Sequence, residues 1–433
     1  MSIKAIAKTT AIIIVAVVVI VAAVGTVLYY QMTAKPARDY FRIGVPVEIT
    51  GPWSREGNMI KRGYEAWRNY INEVIGGLEI DGKKYRIEYV YADLKSDPSI
   101  AADAYEKLIL TGDIDWIWGP MASSCVLAGG PVADKYGMLQ LDGTCESHLI
   151  PQRKFTWTFT LQPVTIYNGL ANADLLKLIG QKSLTIALIY SDAAYNTGLG
   201  EGFQMAVEKA NKEGWNFQIV YKEVYSDGVT DLSAQITKAK LANPDVFVNF
   251  AYFPHGVIMT RNMKELGFNP KMIITNVLGG APEYRTELGK DANYQCCSVS
   301  WVRQVNYPDI KSPLWGDNKK YVEYFENYFG VEGEYSSSGC AAVGEIMQVL
   351  LQRFKMKPPL SQADREKLQD ALEKETFDTF WGHIKFSNDP TYWHSNEAKM
   401  INVQCIAGKI VVVGPADVEE KNLVYPRPKW EEL

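Results

Sequence analysis

From Phe41 onward, short apolar runs alternate with longer stretches in which apolar side chains recur at helical spacing. FRIGVPVEI (41–49), YRIEYVYAD (85–93), DWIWG (115–119) and MLQL (138–141) read as strands. Residues 58–75, 98–110 and 123–135 carry the helical pattern between them. Strand and helix alternate, as in a mostly parallel sheet with helices on both faces. The pattern then restarts. A helix over 166–179 precedes strands SLTIALIYSD (183–192), FQIVYKEVYSD (217–227), DVFVNFAY (245–252) and KMIITN (271–276), with helices over 199–212, 232–241 and 255–266. After Tyr294 the chain gives a strand, three helices (319–328, 341–354 and 363–373) and a terminal hairpin turning at Ala407-Gly408. The fold class is therefore α/β, with two doubly wound lobes, and the tail completes both lobes.

The first forty residues differ from the rest. Ala11 to Tyr30, AIIIVAVVVIVAAVGTVLYY, holds no charged residue. As a helix such a run spans about 30 Å, enough for a bilayer core. Lys4 and Lys8 precede it with no acid beside them, which favours a cytoplasmic N-terminus and an exported remainder. A retained N-terminal transmembrane helix is the preferred reading. A cleaved signal peptide, whose apolar core is usually shorter, and a buried helix of the globular part are the alternatives. QMTAKPARDY (31–40) is a polar tether.

The chain is 433 residues long, more than one core usually covers. Its net charge of −5 is too mild to name a partner, and the absence of a basic patch speaks against nucleic acid. Six cysteines follow no CxxC or Cys/His spacing, so zinc has no support. Cys125 and Cys145 lie just after two strand ends. Export permits a bond between them, and buried thiols are equally compatible with the pattern. There is no GxSxG elbow, Walker loop, HExxH or dinucleotide glycine motif, and the four histidines (148, 255, 383, 394) are scattered. The sequence therefore gives no sign of an enzyme and calls for no cofactor.

The candidate chemistry gathers at strand ends, where open α/β sheets bind ligands. Ser123 and Ser124 follow Gly119-Pro120 at a helix start. They serve either as ordinary caps or, with free N–H groups and the helix dipole, as an anion site. Trp53, Arg55 and Glu56 follow the Gly51-Pro52 turn. Arg55 either faces a cleft, where Glu146 or an acidic ligand is available to it, or belongs to a solvated loop.

Three segments together resemble one family: GVPVEITGPWSREGNMIKRGYEAWRNYIN, GPMASSCVLAGGPVADKYGM, and TFWGHIKFSND with VQCIAGKIVVVGP. It is the branched-chain amino-acid/amide-type substrate-binding proteins of ABC importers, with a type I periplasmic-binding fold. Thr50-Gly51-Pro52, Ser123-Ser124 and Pro131-Val132-Ala133 followed by Tyr136-Gly137 carry the likeness, which covers roughly 41–428. It implies a three-segment hinge and a ligand cleft between the lobes. The expected organisation is an anchor or signal over 1–31, a linker over 32–40, lobe one from 41–163 plus about 300–385, and lobe two from 164–299 plus about 386–433. The resemblance further implies that Ser123 and the backbone of Thr144 meet a ligand carboxylate, and that Glu56 stands where a residue covers the ligand. Tyr252 is similar to an aromatic contact, and Tyr195 faces the same cleft. Asn276 and Thr165 fall where amino-acid binders carry the acids that hold an ammonium group. Glu146 falls where a hydroxyl or amide is usual. With acids lost on one side and gained on the other, a neutral solute such as an amide or aromatic compound is preferred over an ordinary amino acid. A cation met by Glu56 or Glu146 is the other reading. The implied partners are a small-molecule solute, an ABC permease and, through the N-terminal helix, the membrane. The implied location is the outer face of the cytoplasmic membrane. A sensory or surface-assembly protein on the same fold is the alternative.

Overall fold

The computed structural model describes residues 36–433 except 306, 397–399 and 416–421. The proposed membrane helix over 11–30 lies outside the described residues. Among those residues no helix is long and apolar enough to cross a membrane.

The first lobe opens with β1 (Tyr40–Val47) and α1 (Ser54–Asn69), which runs on as a wider turn through Ile75. The hairpin of β2 (Leu78–Ile80) and β3 (Lys83–Asp93) follows. Then come α2 (Ala101–Thr111), β4 (Trp116–Trp118), α3 (Ser123–Tyr136), β5 (Gln140–Asp142), the short α4 (Leu149–Arg153) and β6 (Thr158–Thr160). The sheet order is β2-β3-β1-β4-β5-β6, parallel throughout except for β2 on β3. Such a sheet is covered on both faces, which is why β4 and β5 are buried at every position.

The second lobe takes α5 (Thr165–Leu178), β7 (Ser183–Ser191), α6 (Ala194–Lys212), β8 (Asn216–Tyr225), α7 (Ser233–Leu241), β9 (Val246–Phe250), α8 (Phe253–Glu265), β10 (Met272–Thr275), α9 (Pro282–Leu288) and β11 (Gln295–Val299). The chain then returns to the first lobe as α10 (Asn318–Phe329), α11 (Tyr335–Arg353), α12 (Gln362–Lys374) and the small hairpin β12 (Thr376–Thr379) and β13 (Gly382–Lys385). It ends in β14 (Ile401–Ile406) and β15 (Lys409–Gly414), which extend the second sheet to the order β15-β14-β11-β10-β9-β7-β8. Their turn is at Ala407 and Gly408, both at positive φ, as a two-residue hairpin of this hand requires.

Residues 386–396, expected in lobe two, stay with lobe one. Phe386 bridges Asn396, Ser395 bridges Thr160 at the end of β6, and His394 stacks on Phe159 at 3.9 Å. This stacking contact and the two bridges hold the segment to the end of the first sheet. All six cysteines are buried and unbonded, so Cys125 and Cys145 do not pair.

α11 lies against α1 at close range. Gly63 of α1 faces the backbone of Ser337 and the Cβ of Cys340, and Gly344 of α11 faces the Trp67 ring. This packing brings the start of α11 to the mouth of the gap between the lobes. The crossings at 161–164 and 299–301 run together, joined by the Ser300 hydroxyl donating to Gln162 Oε1 at 2.5 Å. The Gln162 amide in turn donates to the Gly143 carbonyl at 2.9 Å, tying the hinge to the end of β5.

Candidate functional site

The loops after β1, β4 and β5 are fixed by buried side chains. Glu48, fully buried, accepts the N–H groups of Met121 (2.9 Å) and Ala122 (3.1 Å). Asp142 accepts those of Thr144 (2.7 Å) and Cys145 (2.9 Å). The Tyr64 hydroxyl donates to the Gly119 carbonyl at 3.0 Å and accepts the Gly143 N–H at 3.4 Å, linking the two strand-end turns. These bonds set Met121 and Thr144 at the gap between the lobes.

That gap encloses a cavity of about 520 Å3, counting the open space at its mouth, in the range usual for small-molecule sites. Lobe one supplies Arg55, Glu56, Met121 and Thr144. Lobe two supplies Tyr195, Ala251, Tyr252, Asn276, Val277, Leu278 and Ala281. The head of α11 adds Glu334, Tyr335 and Ser336. Tyr252 lies between two aromatic neighbours, with Trp53 at 5.4 Å and Tyr195 nearly parallel at 6.0 Å.

Contacts between the lobes surround this cavity. Arg55 donates to Glu334 (2.6 and 3.1 Å) and to Glu283 of α9, and Arg62 also reaches Glu283 at 3.8 Å. Arg55 therefore faces the cleft, and its partners are Glu334 and Glu283 in place of Glu146. Burial opposes the Arg55 charge, but the carboxylates of Glu334, Glu283 and Glu56 outweigh it and hold the guanidinium protonated. Glu56 Oε1 accepts the Phe253 N–H at 3.0 Å, a carboxylate at the N-terminus of α8. Its Oε2 is buried without a hydrogen-bond partner. Burial pushes the Glu56 carboxyl up to about 7, against the pull of Arg55 and the Phe253 N–H. On the far side, the Ser147 hydroxyl donates to the Ala194 carbonyl at 2.8 Å.

Of the residues singled out from the sequence, Glu56, Thr144, Tyr195, Tyr252 and Asn276 line the cavity, and Trp53 stands behind Tyr252. Ser123, Ser124, Glu146 and Thr165 do not line it. Ser123 is the first residue of α3, one place after the N-cap position held by Ala122, and its hydroxyl accepts the Ser147 N–H at 3.2 Å. Thr165 is fully buried and accepts the His148 N–H at 3.3 Å. Glu146 is buried beside Asn168, whose amide donates to Oε2 at 3.4 Å, while Oε1 has no hydrogen bond. Burial pushes its carboxyl up to about 8. The Thr144 N–H, expected to meet a ligand carboxylate, is taken by Asp142. Internal carboxylates thus satisfy the strand-end amides that were expected to bind an anion.

Sequence reasoning missed Glu334, Tyr335 and Ser336. GEYSSSG reads as a polar loop, and its serines and glycine are poor helix formers. The signal was a capping pair: the Glu334 side chain accepts the N–H of Ser337, and the Ser337 hydroxyl accepts that of Glu334. The helix therefore begins at Tyr335, ahead of the apolar run at 341.

The periplasmic binding protein family model matches residues 41–409. A Leu/Ile/Val-binding protein homolog of Brucella melitensis is 26% identical over 249 residues, 57% of this chain, and the match spans 62% of that relative's length. Another homolog, from Brucella abortus, is 22% identical over 90% of this chain and 95% of its own length. Among solved structures, an ABC transporter solute-binding protein of R. palustris in complex with benzoate superposes with a TM-score of 0.72 at 16% identity, over 89% of this chain and 99% of the other. With the family model matching from β1 through β14, and two lobes of the type I arrangement around a cleft, the chain belongs to the periplasmic binding protein family that its motifs resemble.

Proposed function

We propose that this protein is the extracytoplasmic solute receptor of an ABC importer. It captures a small organic solute between its lobes and presents the closed form to a membrane permease. One observation carries the reading: the cavity is walled by both lobes and by the head of α11, which follows the second hinge crossing. A solute touching all three favours the closed arrangement by its differential affinity for it. The family relation supports the class of activity. The Leu/Ile/Val-binding names of the relatives and the benzoate of the structural neighbour support solutes of amino-acid or small aromatic size. Residues 11–30 would hold the receptor at the outer face of the membrane.

The test is a thermal-shift screen of the full chain against amino acids, amides, aromatic acids and amines, followed by calorimetry on any member that raises the melting temperature. Tyr252→Ala removes the ring between Trp53 and Tyr195 and should weaken that solute by about tenfold or more. Unchanged affinity in this variant, or no shift with any class, refutes the reading.

A further inference from the structure

The cavity wall has an uneven polar inventory. Its amide groups are already engaged: Asn276 donates to the Ala251 carbonyl at 2.7 Å and accepts the Leu278 N–H at 3.4 Å. The nearby backbone donors of Thr144, Met121 and Phe253 end on Asp142, Glu48 and Glu56. Both terminal nitrogens of Arg55 are bound to carboxylates, so no guanidinium fork is open to a ligand anion. Arg55 and Arg62 together balance Glu334 and Glu283. Glu56 shares the field of Arg55 and accepts the Phe253 N–H, but its Oε2 is buried and has no hydrogen bond among the described residues. A second buried carboxylate, Glu146, lies outside the cavity lining, close enough for its charge to raise the Tyr195 and Tyr335 hydroxyls, and among the described residues Asn168 is its hydrogen-bond donor. An entering carboxylate meets these charges with no open guanidinium fork, and only the Arg55 Nε–H and the Tyr195 hydroxyl are buried donors of the wall left unbonded. An entering cation meets an acceptor and three tyrosine rings, which attract cations through their negative faces. The remaining wall, Met121, Val277, Leu278 and Ala281, is apolar.

We infer that the solute of this cavity is an organic cation, a protonated amine on an apolar body, received by the Glu56 carboxylate and the rings of Tyr195, Tyr252 and Tyr335. This rests on the receptor reading above and narrows it: the ligand needs no carboxylate of its own. Glu56 supplies the charge–charge contact from lobe one. Tyr195 and Tyr252 close on the cation from lobe two, so that the charged end itself bridges the lobes.

The experiment titrates the full chain with four probes sharing one apolar body: isopentylamine, leucine, isocaproamide and isocaproate. A second series uses phenethylamine, phenylalanine and hydrocinnamate. The amine of at least one series should bind about tenfold or more tighter than its carboxylate partner. Glu56→Gln keeps an acceptor for the Phe253 N–H and should weaken the amine by a similar factor and the amide by much less. The wild-type chain gives a second readout that needs no variant. Glu56 is faced by Arg55, Glu334, Tyr252 and the Phe253 N–H, and burial raises the carboxyls of Glu56 to about 7 and of Glu146 to about 8. Amine affinity should therefore rise from about pH 6 to about pH 8, where the amines themselves stay charged. If a carboxylate or an amide binds better than its amine, or amine affinity is flat with pH, the cation assignment fails and the receptor reading stands. If neither series binds at all, the assignment falls together with the receptor reading.

Discussion

Glu146 offers a direct measure of what it costs this fold to bury an unpaired acid. The residue is 2% exposed, and among the described residues Asn168 is its one side-chain hydrogen-bond donor and Oε1 has none. Burial raises its carboxyl from the ordinary 4.5 to about 8. The sign follows from proton counts. Below pH 4.5 folded and unfolded chains both hold the proton. Between there and about pH 8 the unfolded chain gives it up while the folded chain keeps it, so stability falls as pH rises and levels off above about 8. The displacement corresponds to at most about 5 kcal/mol. Water entry and relaxation around Asn168 reduce that, and a change of about 2 kcal/mol is expected. Glu146→Gln copies the neutral acid and removes the slope. Urea unfolding of the solute-free chain should find the variant close to wild type at pH 5 and about 2 kcal/mol more stable at pH 8.5. Parallel pH profiles for the two proteins would show that Glu146 is solvated or paired, and would remove it from the electrostatics of the cavity wall.

Two further substitutions probe the parts that position the site. Gly63→Ala places a methyl group against the backbone of Ser337 and the Cβ of Cys340, so the two helices must shift apart. It should cost about 1–3 kcal/mol of stability and, by moving the head of α11, weaken solute binding more than a lobe-two surface change does; calorimetry and urea titration together check this. Glu345, buried in α11, accepts N–H groups from Leu314 at 2.7 Å and Phe380 at 3.1 Å, and the Ser312 hydroxyl. Glu345→Leu strands these donors and should lower stability by about 3 kcal/mol or more. Glu345→Gln keeps acceptors and should lower it by less, and equal losses in the two variants would contradict this account.

The aromatic wall was partly legible in the chain. Tyr195 and Tyr252 stand at strand-to-helix turns, and strand ends are where a parallel sheet gathers its ligand groups. The alternation of apolar runs fixes both sheets, since side-chain periodicity is local and each strand carries its own pattern. Contacts distant in sequence were not legible. Ser123 looked like an anion site because nothing nearby in the chain shows that Ser147 uses its hydroxyl. Nor does anything show that Glu48, from a different strand, saturates the amides of Met121 and Ala122.

By itself, then, the sequence determined the order of strands and helices, the division into two lobes and the family, all of which follow from periodicity and short motifs. Only the tertiary structure decided the character of the site. It brought the head of α11 to the cleft through the Gly63 and Gly344 contacts, turned Arg55 toward Glu283 and Glu334, and left one oxygen of Glu56 unbonded. Each of these depends on which groups meet across the fold. A carboxylate's charge, partner and proton are set by those neighbours rather than by its place in the chain.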